Sequence, residues 1–214
     1  MPIILDFGPS VQDYLAHFSQ IIFPRPDCCP LCGTPDELIG HGYYQRHPKD
    51  QTQVYHIGIK RWLCKACQHT LALLPSFLVP FRHYLLAVIQ QVLVTRYEHN
   101  ASWHATAQRC AAPHGLPAPS TIRRWCRVFA EQAPAWWVAL QETLAQQDAG
   151  APVLDPLGPA AGPQSDAPRA LLYTSLALLA WAKTRWPEVR SYGLSDRLRF
   201  LWHWGSGRGL GRLV

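Results

Sequence analysis

Apolar positions in this chain follow helical spacing near its start and again beyond residue 80, with strand-like runs between. Val11, Tyr14, Leu15 and Phe18 fall at i, i+3, i+4 and i+7, which predicts a short amphipathic helix with Ser10 as its N-cap. Pro24 and Pro26 break the chain after it. The runs 38–46 and 53–62 are rich in Val, Ile and aromatic residues and predict two strands joined by the polar stretch 47–52. Gly40 and Gly42 within the first run predict a bulge or a close backbone approach.

Leu85, Leu86, Ile89, Val92 and Leu93 mark the core face of a predicted helix over 82–97. Ser102 is placed to cap a short helix over 103–110. A proline-rich turn, 111–119, follows, and Ser120 is placed to cap a helix over 121–130. A further helix is expected to begin near Pro134 and run to 147. An apolar helix over 169–186 ends at Pro187, and 195–204 form a last short one. The glycine-rich stretch 205–212 is expected to be mobile. The chain thus divides into an N-terminal helix (1–23), a ribbon (24–79), a helical region (80–147), a Pro/Gly/Ala-rich linker (148–168) and C-terminal helices with a tail (169–214).

Two Cys-x-x-Cys pairs carry the clearest chemistry: Cys29-Pro-Leu-Cys32-Gly33 and Cys64-Lys-Ala-Cys67. Each spacing lets one tight turn aim two sulfurs at one metal, and two pairs complete the tetrahedral thiolate shell of structural zinc. The expected ligands are Cys29, Cys32, Cys64 and Cys67, with Cys28 and His69 as neighbouring alternatives. Gly33 suits the positive φ such a knuckle requires; in the second pair Gln68 stands at that place. Four thiolates close the shell, which argues against a catalytic zinc with an open position. Cys110 and Cys126 read as core cysteines on helices.

Composition places charge beside this motif. The net charge is +6 over 214 residues, with only 16% charged residues and 48% apolar ones. Residues 1–39 hold one Arg against five acids, and 131–214 hold eight basic residues against seven acids. Residues 40–130 hold eleven Lys and Arg against Asp50 and Glu98. Positive charge concentrated there is the electrostatic footprint of a phosphate-binding surface. Seven cysteines without a recognisable signal peptide suggest a reducing, cytoplasmic and nucleoid-associated location rather than a disulfide scaffold. The near-apolar run 170–182 is too short to cross a bilayer, which takes roughly 20 residues.

On the predicted 121–130 helix, Ile122, Trp125, Cys126 and Phe129 share one face, and Arg123, Arg124 and Arg127 lie opposite. Ser120 and Thr121 stand at its N-terminal end, where hydroxyls and amides hold phosphate. That division suits a recognition helix, in a helix-turn-helix whose nine-residue turn exceeds the usual three or four. Arg46, Lys49, Lys60, Arg61 and Lys65 flank the ribbon, interleaved with Tyr43, Tyr44, Tyr55 and Trp62. Arg46, Lys60, Arg61 and Lys65 are further candidate phosphate contacts. Trp62 and Tyr55 are expected in the ribbon's core, and Tyr43 and Tyr44 are open between core and base stacking.

Cys-Pro-x-Cys-Gly (29–33), His-Gly-Tyr-x-x-Arg (41–46), Lys-Arg-Trp-x-Cys-x-x-Cys (60–67) and the helices through Phe129 resemble the N-terminal half of some insertion-sequence transposases and small uncharacterised bacterial proteins with the same front end. The resemblance covers roughly residues 25–130 and implies DNA binding in the context of mobile elements. Full transposases of that kind carry an acidic metal-binding triad; no such cluster is visible after residue 130, and no catalytic residue is expected. The expected protein is non-enzymatic and mainly α, with a small β zinc ribbon, a helix-turn-helix and C-terminal helices, binding double-stranded DNA. The competing expectation is a scaffold recruiting a recombinase or transposase partner through the ribbon and the 169–204 helices, with homo-oligomerisation a further role for that region. Trp181, Trp186, Trp202 and Trp204 read there as core.

Overall fold

A computed structural model describes residues 1–8, 10–110, 117–147, 167–206, 210 and 213–214. The chain forms two compact units, Met1–Leu85 and Leu86–Val214.

The first unit is built on a four-stranded sheet of order β1-β4-β3-β2. β2 (Leu38–Arg46) and β3 (Ile57–Cys64) pair antiparallel, as do β3 and β4 (Thr70–Pro75). The register slips between Gly40 and Tyr43, and Gly42 has φ +65°, so the expected bulge is present. The connection before β3 is tightened by Asp50, whose Oδ1 accepts from the Thr52 and Gln53 amides at 2.6 and 2.8 Å. β1 (Pro2–Leu5), which no sequence pattern predicts, runs parallel to β4. α1 (Val11–Ala16) starts as expected, with Ser10 Oγ accepting from the Asp13 amide at 3.0 Å. Its Tyr14 is fully buried and donates to the Gly58 carbonyl, which fixes the helix to β3.

In the second unit, α2 (Leu86–Leu93) starts later than the expected 82–97 helix. The Leu85 amide donates to the Lys49 carbonyl, and Lys49 bridges to Tyr84, so residues 84–85 are spent on strand-like pairing. α2 runs into a π-turn over Val94–Glu98, closed by the His99 amide on the Val94 carbonyl. α3 (Trp103–Arg109) is capped by Ser102, as expected. The expected turn falls largely outside the described residues, as does most of the expected linker.

Two expected helices are one: α4 spans Pro119–Gln147 with Pro134 inside. Ile122, Trp125, Phe129, Ala133, Trp136, Leu140 and Leu144 form an unbroken buried stripe on either side of the proline. Packing along that stripe outweighs the lost backbone hydrogen bond. Pro134→Ala is therefore expected to stabilise the second unit by about 1–3 kcal/mol, read as a higher Tm in thermal unfolding. An unchanged or lower Tm would show that the helix does not run through this point.

α5 (Ala167–Arg185) and α6 (Arg197–Ser206) complete the unit. Trp181 and Trp202 are buried, with Trp202 stacked on Trp136 at 6.2 Å between centroids, whereas Trp186 is partly exposed. Gly205 and Ser206, expected in a mobile tail, belong to α6, and Leu213 and Val214 are buried. No helix among the described residues is long and apolar enough to cross a membrane.

Candidate metal centre and basic helix face

The two cysteine pairs sit in backbone turns of the same design. The Cys29 carbonyl accepts from the Gly33 amide at 2.8 Å, and the Cys64 carbonyl from the Gln68 amide at 2.9 Å. The Cys29 amide donates to Thr34, and the Cys64 amide to His69, each at 3.0 Å. Gly33 has φ +73° and Gln68 φ +61°, so both knuckles close through a left-handed residue. The β2–β3 register sets Leu38 opposite Cys64. Cys29, Leu38, Cys64 and Leu71 form a small core against which Ile3 and Trp62 pack.

This arrangement brings all four thiols together. Cys29 and Cys67 sulfurs are 3.8 Å apart, as are those of Cys32 and Cys64, and all four lie within 4.8 Å of one another. Tetrahedral bonds of about 2.3 Å put the sulfurs about 3.8 Å apart, so the spacing fits a thiolate-bound zinc-sized ion. Thr34 Oγ1 lies 3.3 Å from Cys32 Sγ, and that contact with the Thr34 backbone lowers the Cys32 thiol to about 6. At Cys67 the His69 backbone likewise lowers the thiol, but burial and the neighbouring thiols outweigh it and push it up to about 12. Cys28 is exposed and outside the cluster, as is His69, whose Nδ1 lies 2.9 Å from the Cys67 carbonyl. Cys110 and Cys126 are buried, and burial raises both thiols, Cys126 to about 12.

The left-handed Gln68 carries a cost that glycine does not. Gln68→Gly is expected to stabilise the first unit by up to about 1 kcal/mol. The gain is partly offset because Gln68 Nε2 donates to the Lys65 carbonyl at 2.6 Å. A chelator-competition titration would read this as slower or weaker metal loss; faster loss would mean that the side-chain hydrogen bond dominates.

The expected basic contacts divide by surroundings. Arg46 donates to the Val79 carbonyl at 3.3 Å and to the Arg82 carbonyl, so its guanidinium serves the interior of the first unit. Lys60 Nζ lies over the Tyr43 and Trp62 rings at 4.8 and 5.1 Å. Lys65 is exposed on the second knuckle, and Arg61 lies over the Tyr44 ring on the sheet. Tyr43 joins Phe18 and Phe23 in an aromatic cluster, while Tyr55 is buried and hydrogen-bonds Gln12 and Asp50.

In the second unit the two faces of α4 separate as the sequence predicts. Ile122, Trp125, Cys126 and Phe129 are almost wholly buried, and Arg123, Arg124 and Arg127 are exposed. Tyr97 holds the buried side by donating to the Cys126 carbonyl at 2.8 Å. Ser120 is not the cap: the helix begins at Pro119, and the Ala118 carbonyl accepts from the Thr121 and Ile122 amides. Ser120, Thr121, Arg123, Arg124 and Arg127 line one open groove of about 730 Å³. Its sixth lining residue is Trp103, which the sequence marks only as a helix start. Trp103 is 38% exposed, with the Arg96 and Arg123 guanidinium carbons 4.6 and 5.9 Å from its ring. Its one sequence signal is a tryptophan directly after a capping serine.

No curated protein and no solved structure matches this chain. Residues 29–125, from the first thiol of the cluster to the buried Trp125 of α4, match a family model described as a domain of unknown function, DUF6431.

Proposed function

We propose that this protein is a zinc-stabilised DNA-binding protein that docks α4 on duplex DNA in the manner of a helix-turn-helix. The observation that carries the reading is the groove where Trp103, Ser120, Thr121, Arg123, Arg124 and Arg127 meet without an acidic residue among them. Three guanidinium groups on a helix anchored by its buried face can grip phosphates or read guanine edges bidentately. The Ser120 and Thr121 hydroxyls supply neutral phosphate contacts at the helix start. Trp103 offers an apolar surface to the sugar-phosphate backbone. Glu131 tempers Arg127 through an exposed pair at 3.7 Å, a small effect in water.

The thiol cluster supplies the second part of the proposal: a zinc ribbon in which the ion holds the two knuckles and the sheet register. Lys60, Arg61 and Lys65 are the ribbon's candidate phosphate contacts, and Arg46 is left to its internal role. Association with mobile elements rests on the resemblance of the cysteine, His-Gly-Tyr and helix motifs to insertion-sequence transposases. No catalytic step is assigned.

The test is fluorescence anisotropy of metal-loaded protein with a labelled random duplex across a salt series. Each phosphate neutralised contributes about 0.9 to the slope of log K against log salt. The three helix arginines alone therefore predict a slope near −2.7. A flat salt response, or no binding at low salt, would sink the proposal.

A further inference from the structure

We propose that the pocket lined by Tyr44, Arg46 and Arg61 on the first unit's sheet binds an unpaired nucleobase of single-stranded DNA. Side chains paired across strands emerge on the same face of a sheet. The register sets Tyr44 opposite Ile59 and Arg46 opposite Ile57. Arg61, two residues beyond Ile59, is opposite Ala72. Tyr44, Arg46 and Arg61 therefore share one face, and Tyr43, one position earlier, turns to the aromatic cluster on the other. The shared face floors a pocket of about 710 Å³, walled on one side by Phe81 and His83. That volume lies within the usual range for small-molecule sites.

Two observations point to the occupant. First, the four ionisable side chains of Arg and His that line the pocket, Arg46, His47, Arg61 and His83, can all carry positive charge, and no acid lines it. An anionic ligand is favoured. Second, the pocket presents flat apolar surface. Phe81 is 74% exposed at its mouth and has φ +61°, a conformation that bulky side chains rarely adopt. Tyr44 also lines the pocket, with the Arg61 guanidinium carbon 5.9 Å from the Tyr44 ring centroid.

A nucleotide unites a flat π-face with an anion, as aromatic and arginine platforms for single strands require. In a duplex both faces of each base are covered by its neighbours, so the ring surfaces here suit only an unstacked base. The pocket stands on its own residues; the choice of DNA over RNA rests on the function proposed above.

The experiment uses the metal-loaded full chain and three labelled probes. They are a thymidine oligonucleotide of about a dozen nucleotides, its uridine counterpart and a blunt DNA hairpin closed by a linker without bases. Phe81→Ala and Tyr44→Ala are each expected to weaken thymidine-oligonucleotide binding by roughly fivefold or more, with hairpin affinity unchanged. Phe81→Tyr keeps a ring and should restore binding. Phe81 is largely exposed, so its variants are expected to keep their metal content and Tm. The Arg123→Glu/Arg127→Glu variant should show the opposite pattern, losing the hairpin and keeping the oligonucleotide. The proposal is overturned if wild-type protein ignores the thymidine oligonucleotide, if both alanine variants bind it normally, or if they lose oligonucleotide and hairpin in parallel. Tighter binding of the uridine strand would overturn the DNA assignment. Loss of hairpin binding alone by wild-type protein would count against the helix reading and leave the pocket standing.

Discussion

Exchanging Cys64 for serine is expected to abolish metal binding and unfold the first unit. Cys64 is fully buried, ends β3 opposite Leu38, and packs with Cys29 and Leu71. It would therefore join a bound ion to the sheet and to the small core at once. A serine hydroxyl does not replace a thiolate in a closed four-sulfur shell. Structural zinc contributes about 10–16 kcal/mol of folding free energy in small zinc domains. A whole domain is stable by only about 5–15 kcal/mol, so losing the ion exceeds what the remaining contacts can offset. The result would be read as loss of stoichiometric metal by elemental analysis, together with rapid proteolysis within residues 1–85. Cys28→Ser is the matched control, since Cys28 is exposed and outside the cluster. A Cys64→Ser protein that kept its metal and its Tm would refute the four-thiolate site. The same preparation identifies the ion: four sulfurs at tetrahedral spacing suit zinc or iron, and only iron colours the protein.

The cysteine centre was legible because its information is local. Four residues of chain encode each knuckle, and only the pairing of knuckles is long-range. The face of α4 was legible for a similar reason, since Ile122, Trp125, Cys126 and Phe129 repeat at the helical period. What escaped was set by distant partners. Pro2-Ile-Ile-Leu5 is too short to announce a strand, and it becomes one only by lying parallel to β4, about seventy residues away. Pro134 signals a helix break locally, and the buried stripe through Ala133 and Trp136 overrides it. Arg46 looks like a surface cation from its neighbours, yet two carbonyls from the 79–82 segment claim it. Gln68 could be seen to lack the glycine expected in a knuckle, but not that the knuckle would take the left-handed conformation regardless. In each case local propensity was read correctly, and packing or pairing with residues far along the chain decided the outcome.

Reversing Arg123 and Arg127 to glutamate is expected to cost duplex DNA affinity on the order of a hundredfold or more at about 0.1 M salt. Both side chains are exposed on the solvent face of α4 and line the groove, so the change replaces two attractions with two repulsions. The salt slope should fall by about 1.8, the share of two phosphate contacts. Stability should move little: exposed substitutions usually stay within about 0.5 kcal/mol. The lost Arg127–Glu131 pair is a surface contact of similarly small weight. Net charge alone would also weaken binding, so location needs its own control. Lys183→Glu with Arg190→Glu removes the same charge, since each reversal subtracts two and either pair takes the chain from +6 to +2. Neither Lys183 nor Arg190 lines the groove. If α4 is the docking element, the helix pair loses far more affinity than the control pair. Equal losses would mean that DNA senses only the overall charge, and the groove would have no claim to recognition.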